Sequence, residues 1–434
     1  MEIALKAALI LFFTFLVQLG IGVPISISIG VSSVITALTA LPMDIAIFTA
    51  AQKMISGIDS FSLLAVPLFV LSGNIMNNGG IAKRLVNFAK TIGGRLPGAL
   101  AHANILGNML FGSLSGSAVA AAAAIGGTMA PLQKEEGYEP SYSAAVNIAS
   151  CATGMLIPPS GVLILYSLVA GGVSISALFI AGYIPGILMG LACMVVAYIY
   201  AKKNNYPVCD KVSLKEAIKV FLDAIPSLLL IVIVIGGIVF GIFTATEGAA
   251  IAVVYTLILS LIYKSLTIQS MKEILMKTAV TTGVIMFLVA SSSAMSWIMA
   301  YTGIPQAISN IIMSISDNPI VILFIMNITL LIVGTFMDLT PAVLIFTPIF
   351  LPIATQLGLH PVHFGIVLVF NLCIGIMTPP VGSVLFVGCS VADVSIEGVI
   401  KPLLPFFVAL IAVLFLITYV PALSLILPKL FGLI

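Results

Sequence analysis

MLIPPSG, residues 155–161, and MTPPVG, residues 377–382, are the two stretches on which the fold turns. Each lies inside an apolar run long enough to cross a bilayer. Two successive prolines remove backbone donors and forbid a continuous helix there. In hydrocarbon, interrupted backbone survives only where protein buries it or where it lines a cavity. A break therefore offers carbonyls and helix ends to an ion or a substrate. One proline pair could merely kink a membrane helix. Two in equivalent places point to a binding site.

The rest of the chain carries the same mark. Of 434 residues, 61% are hydrophobic and 7% charged, against about 25% charged in an ordinary soluble domain. The fold class is an all-α polytopic membrane protein. The first twenty or so residues could pass for a signal peptide, but no small-residue cleavage site leads into a polar chain, so they read as the first span. The cysteines, Cys151, Cys193, Cys209, Cys373 and Cys389, are scattered without CxxC spacing and read as small packing residues. His360 and His363 have helical spacing but no carboxylate or cysteine beside them, which argues against a metal site. No phosphate-binding GxxxxGK[ST] loop occurs, and neither nucleotide hydrolysis nor a nucleic-acid partner is expected.

Apolar runs predict spans near 3–22, 24–41 and 61–75, with 44–59 too polar to cross and lying at the interface. Residues 81–92 read as a helix flat on the membrane, because Ile81, Leu85, Phe88 and Ile92 share one face. Residues 97–131 form a re-entrant hairpin with GSLSGS, 112–117, at its tip, since the flanking arms are short for two crossings. The first broken helix covers 142–170, a further span covers 177–200, and a polar linker follows. The pattern then recurs. Spans fall near 224–240, 246–263 and 279–300, a surface segment at 304–315, a hairpin at 319–352 with the tip GTFMDLTP, 334–341, and a second broken helix at 361–391.

Shifts of 221 to 223 residues pair Asn104 with Asn327, Gly112 with Gly334, Pro131 with Pro352, and both prolines of each break. The chain thus reads as two repeats, 1–210 and 211–434, each with five transmembrane helices (one broken at Pro-Pro), one hairpin and one interfacial helix. An odd number of crossings inverts the second repeat relative to the first. Of the 17 Lys and Arg, all but Lys6, Lys53 and Lys429 then fall on one side. The positive-inside rule makes that side the cytoplasm and places both termini in the periplasm.

Asp338 is the most informative charge. A carboxylate in an apolar run costs about 2.5 to 3.5 kcal/mol on insertion scales, so it calls for a cation or a proton. Alternatively it caps the second hairpin helix, because Leu339, Thr340 and Pro341 after it resemble a helix start. Sodium accepts neutral oxygen ligands, which proline breaks and hydroxyl-bearing tips supply. Ser115, Gly116 and Ser117 facing Gly154, Pro158 and Gly161 form one candidate sodium site; Gly334, Thr335, Asp338 and Thr340 facing Thr378, Pro379 and Gly382 form the other. Ser/Gly runs by themselves would equally permit close helix packing. The only arginines, Arg84 and Arg95, sit in the surface segment, so an anionic substrate would be met by half-helix N-termini and bound sodium. Its candidate contacts are Ser117, Asn147, Pro159, Ser160, Thr340, Pro380 and Ser383. Asn147 and Asn371 either orient ligands or bridge helices.

Taken together, LSGNIMNNGGIAKRLVNFAKTIGGRLPG (71–98), GSLSGSAVAAAAAIG (112–126), MLIPPSG, and GTFMDLTPAVLIFTPIFLP (334–352) with MTPPVG give the chain a family likeness. It resembles the large membrane subunit of tripartite ATP-independent periplasmic (TRAP) transporters over nearly its whole length. The resemblance implies an elevator-type fold of the ion-transporter superfamily in the bacterial inner membrane, coupled to sodium ions and without other cofactors. It also implies a small four-helix membrane subunit and a soluble periplasmic substrate-binding protein as partners, membrane lipid as surroundings, and a small anionic substrate. Sialic acid is favoured over a dicarboxylate on general likeness. The alternative is a stand-alone sodium/carboxylate or ion transporter of the same superfamily. An intramembrane enzyme would need a nucleophile with a base, or metal ligands at helical spacing, and the spans offer neither.

Overall fold

The computed structural model describes residues 2–78, 80–93, 96–208, 213–316, 318–379 and 381–434. Arg95, Cys209, Asp317 and Pro380 lie outside the described residues. An apolar chain in lipid must satisfy its backbone internally, and this one does so with helices; no strand occurs among the described residues. The first half comprises α1 (Glu2–Gly20), α2 (Ile25–Ala37), α3 (Met43–Ile58), α4 (Ala65–Asn78), α5 (Ile81–Gly93), α6 (Ala99–Ser115), α7 (Ala118–Glu135), α8 (Pro140–Cys151), α9 (Gly161–Val169) and α10 (Ile175–Lys203). The second comprises α11 (Leu214–Val239), α12 (Ala245–Ile262), α13 (Ile268–Thr302), α14 (Ile304–Ile315), α15 (Pro319–Phe336), α16 (Leu339–Gln356), α17 (Pro361–Gly375), α18 (Ser383–Ala392), α19 (Ile396–Tyr419) and α20 (Ala422–Leu430). Seven of these are long and apolar enough to cross a membrane, among them α15 and α16, the limbs expected to form only a re-entrant hairpin, while α1 and α2, expected as spans, are shorter apolar helices; α3 with α4 makes an eighth, bent by 62°. The protein is a multi-pass membrane protein.

The elements of the second half repeat the order of the first. The starts of α14, α16, α17, α18 and α19 follow those of α5, α7, α8, α9 and α10 by 221 to 223 residues.

Three further segments depart from the sequence reading. Residues 44–59, expected at the interface, form the first limb of the bent α3–α4 pair and pack on α13. Small residues permit this: Ala46 and Ala50 are buried, and a Cβ on Gly57 would lie 2.0 Å from Ser293 Oγ. Helix α13 begins eleven residues before the predicted 279, at Ile268, behind a Thr267 cap that accepts from the Ser270 amide at 3.1 Å. On α5, Ile81, Leu85, Val86 and Ala89 are buried, whereas Ile92 is exposed. The face is turned because α5 packs between α6 and α11, where Arg84 Nε donates to Asp223 at 3.1 Å and its guanidinium lies 3.5 Å from the Tyr263 ring centre.

The middle of the molecule belongs to the two broken helices. Every residue from Tyr142 to Cys151 in α8 and from Val362 to Gly375 in α17 is buried. The first break touches the half-helix that leads into the second: Cys373 Sγ, in α17, donates to the Ala152 carbonyl at 3.6 Å. Hairpins α6–α7 and α15–α16 flank this centre, and outside it α2, α3 and α4 pack against α13 while α4 packs against α12.

Candidate functional site

Two pairs of glycines seat the hairpins on the broken helices. A Cβ on Gly154 would lie 2.3 Å from the Gly112 Cα, and one on Gly375 would lie 2.5 Å from the Gly334 Cα. Backbone meets backbone at both places, so only glycine fits. Each hairpin limb is thereby drawn against a break just before its tip.

At the first tip, α6 ends on Gly116 in the left-handed conformation (φ 61°), and its amide donates to the Gly112 carbonyl at 2.8 Å. Ser117 opens α7, its hydroxyl accepting from the Ala120 amide at 3.2 Å. Gly116 faces the break closely: a Cβ there would stand 3.6 Å from the Pro159 carbonyl oxygen and 3.7 Å from the Gly161 amide nitrogen. The Ala118 amide points at Met155 Sδ, 3.2 Å away. Ser115, Gly116, Ser117, Pro159 and Gly161 are thus brought together, with Gly154 on the far side of the Gly112 contact. Pro158 is buried inside the break.

The break itself is short and stiff. After the 3₁₀ turn Ala152–Met155, the Ser160 hydroxyl donates to the Met155 carbonyl at 2.6 Å and accepts from the Leu163 amide at 3.4 Å, ending one half-helix and starting the next. Among the described residues, the buried carbonyls of Leu156, Ile157, Pro158 and Pro159 accept no hydrogen bond. Unpaired carbonyls in lipid are costly and call for another partner. Replacing Ser160 by Ala is expected to lower stability by about 1 to 2 kcal/mol, because both a cap and a carbonyl's donor are lost. Thermal unfolding in detergent reads this; an unchanged midpoint would show that other contacts hold the break.

The second tip is tied to its break differently. Asp338 occupies the N-cap position of α16, yet its carboxylate makes no capping bond. It accepts instead from the Ser383 hydroxyl, at the start of α18, at 3.0 Å. The capping alternative is therefore not what the side chain does here. A backbone bond, Val381 amide to Thr335 carbonyl at 3.3 Å, runs alongside. Gly382 is pressed between carbonyls: a Cβ would lie 2.8 Å from the Ile376 oxygen and 2.9 Å from the Thr378 oxygen. The hydroxyls of Thr335 and Thr378 donate to Ile332 and Ile374 carbonyls, each at 2.7 Å, which leaves their oxygen lone pairs as acceptors. Pro379 is in the break, Thr340 stands half-buried in the first turn of α16 without a bond to the break, and Pro380 is outside the described residues.

Buried asparagines lock the hairpins from behind. Asn147 Nδ2 donates to the Ala122 carbonyl at 2.9 Å, and Asn108 Nδ2 lies 3.0 Å from Asn147 Oδ1, 2.8 Å from Ser150 Oγ and 3.0 Å from Asn104 Oδ1. In the second half Asn371 Nδ2 donates to Asn327 Oδ1 at 2.5 Å, and Asn327 Nδ2 to Thr418 Oγ1 at 3.1 Å. Asn147 and Asn371 thus both bridge helices, while the buried Oδ1 of Asn371 has no partner among the described residues. Asn108, Ser150 and Thr418 were not singled out from sequence; the signal is the i, i+4 spacing of Asn104 and Asn108 on an otherwise apolar limb. His363 bridges Ser424 Oγ (2.6 Å) and the Thr418 carbonyl (3.3 Å), while His360 caps α17.

Buried broken helices faced by hairpin tips and packed against the long apolar helices α10 and α19 are an architecture suited to a membrane permease. The chain belongs to the family described as the DctM component of tripartite ATP-independent periplasmic transporters, whose model matches residues 12–423; it is a TRAP large membrane subunit. It is 56% identical to the YgiK protein of Salmonella typhimurium over 98% of both chains. It is 42% identical to the sialic acid TRAP transporter large permease SiaM of Vibrio cholerae, covering 88% of this chain and 90% of that one. The crystal structure of the Alcanivorax borkumensis YdaH transporter shares the fold, with a TM-score of 0.63 at 14% identity over 88% of this chain and 89% of the other.

Proposed function

We propose that this permease imports a small carboxylate, sialic acid before a dicarboxylate, by sodium-coupled symport. The observation that carries the proposal is the pairing of each hairpin tip with a break that offers oxygen: four unbonded carbonyls at residues 156–159, and the Asp338–Ser383 pair with two threonine oxygens at the other. Oxygen ligands with one carboxylate suit a monovalent cation, and the N-termini of α9 and α18, which start at the breaks, suit a substrate carboxylate between them. In this reading the chain is an inverted repeat, supported by the 221 to 223 residue recurrence of helix starts and by the one-sided distribution of Lys and Arg. The hairpins and broken helices move together, elevator-wise, against the outer helices; both termini face the periplasm. A small membrane subunit and a periplasmic binding protein complete the machine, in keeping with the tripartite family. The sialic acid leaning follows the name of the Vibrio cholerae relative.

The test is uptake of labelled sialic acid into proteoliposomes holding this chain and the small subunit, with the binding protein outside. Removing external sodium, or the binding protein, is expected to cut the initial rate at least about ten-fold, the equivalent of about 1.4 kcal/mol. Sodium-driven uptake by this chain alone would instead favour a stand-alone transporter, and sodium-independent uptake would end the symport reading.

A further inference from the structure

We propose that Gly182, on α10, is a positioning residue for the coupling ion: it holds the first break at the Leu156 carbonyl and so presents the Pro159 carbonyl to the first hairpin tip. This role rests on the sodium-coupled reading of the tips and deepens it by a residue outside both tips and breaks. A Cβ on Gly182 would lie 2.1 Å from the Leu156 carbonyl oxygen, so that oxygen fills the space in which a side chain would begin. A Cα–H contact of this kind orients a carbonyl without satisfying it as an amide would.

The contact belongs to a wall. One turn further along α10, a Cβ on Gly186 would lie 2.5 Å from Ile157 Cγ1; a turn beyond that, one on Gly190 would lie 2.3 Å from Met109 Sδ, in the first hairpin. All three glycines are buried, and their four-residue spacing puts them on one face of the helix. The break is gripped from its other side as well. Gly154 meets Gly112 backbone to backbone, and the Pro159 oxygen stands 3.6 Å from where Gly116 would carry a Cβ. Leu156 and Pro159, the ends of the open stretch, therefore turn their oxygens to different neighbours, one to α10 and one to the tip. Neither side yields easily, because α10 is itself packed against α17, α19 and α20. To regain ordinary contact with an alanine at 182, the Leu156 oxygen would have to move by about 1 Å or more, beyond the roughly 0.5 Å that a binding constellation tolerates.

The wall does not follow from the duplication. At the 221-residue offset that pairs α10 with α19, the three glycines correspond to Leu403, Phe407 and Ile411. Without such a wall the second break folds on itself: the Ile376 carbonyl accepts from the Val384 amide and the Thr378 carbonyl from the Gly382 amide, both at 3.2 Å. In the first break α10 supplies the support from outside, and the carbonyls at 156–159 stay unbonded among the described residues.

The experiment follows the unfolding midpoint of the purified full-length protein in detergent as sodium chloride replaces potassium chloride at constant ionic strength, which needs neither substrate nor partner subunits. The wild-type midpoint is expected to rise with sodium. Gly182→Ala is expected to move that rise to sodium concentrations at least about ten-fold higher. Gly186→Ala, whose added carbon meets the Ile157 side chain first, is expected to move it less, in the same direction. Gly190→Ala meets only the flexible end of Met109; it is expected to lower the sodium-free midpoint at most and to keep the wild-type sodium dependence. If Gly182→Ala is too unstable to purify, Gly186→Ala against Gly190→Ala decides in the same way. An unshifted sodium dependence in the Gly182 or Gly186 variant, or an equal shift in Gly190→Ala, would overturn the positioning role and leave the sodium reading standing. A wild-type midpoint indifferent to sodium would overturn both.

Discussion

Asp338→Asn is expected to lower sodium-driven uptake by roughly ten- to a hundred-fold. The removed charge and its charge-assisted contact account for about 1.5 to 3 kcal/mol, at 1.36 kcal/mol per factor of ten. The sodium concentration for half-maximal rate should rise at the same time, since a charge that meets the ion contributes to its binding. Stability should hardly change. Asp338 is exposed and makes no capping bond, so the α16 start loses nothing by its neutralisation. Ser383→Ala, which removes the donor 3.0 Å from Asp338, should give a smaller loss of the same kind. Wild-type uptake with an unshifted sodium dependence in Asp338→Asn would remove this residue from the ion path.

The second large effect falls on folding. Gly375→Ala and Gly154→Val would place carbon 2.5 Å and 2.3 Å from backbone atoms of Gly334 and Gly112. Backbone in the middle of two packed helices has nowhere to go, and overpacking of this kind costs about 1 to 3 kcal/mol or more. We expect lost yield of monodisperse protein, or an unfolding midpoint lowered by several degrees. Gly127→Ala serves as the control. It lies within α7 with nothing inside 4 Å of the added carbon, so it should be neutral or slightly stabilising through reduced chain entropy. If Gly375→Ala unfolds like Gly127→Ala, the hairpins are not seated by these glycines.

Much of this arrangement could be read from the chain. The double prolines, the hairpin tips and the spacing between the halves are local or periodic signals: α6 gives way to α7 inside GSLSGS and α15 to α16 inside GTFMDLTP, although α7 and α16 run on to Glu135 and Gln356, four residues past the expected ends. What could not be read was decided by partners distant in sequence. Nothing local says that Asp338 turns from its own helix to Ser383. Residues 44–59 look too polar to enter the fold until α13 offers a surface on which Ala46, Ala50 and Gly57 fit. The α5 face departs from its apolar stripe because two neighbours, α6 and α11, cover it instead of one. Lys272, Glu273 and Lys277 hid the first turns of α13, since charge in a helix reads as a boundary whenever the rest is apolar.

That long helix has a consequence for the surrounding lipid. Thirty-five residues reach about 52 Å, whereas the acyl region is about 30 Å deep. No ordinary tilt, which stays under about 40°, absorbs the surplus. The charged early turns of α13 must therefore stand among headgroups as an upright post. The α3–α4 pair, of similar total length, disposes of its excess by an elbow of 62° instead. Lipids bordering the post and lipids bordering the elbow meet obstacles of different height, so the annulus around the protein cannot have one thickness. Lengthening or shortening the acyl chains loads these two edges unequally, which makes bilayer depth a mechanical input to the molecule.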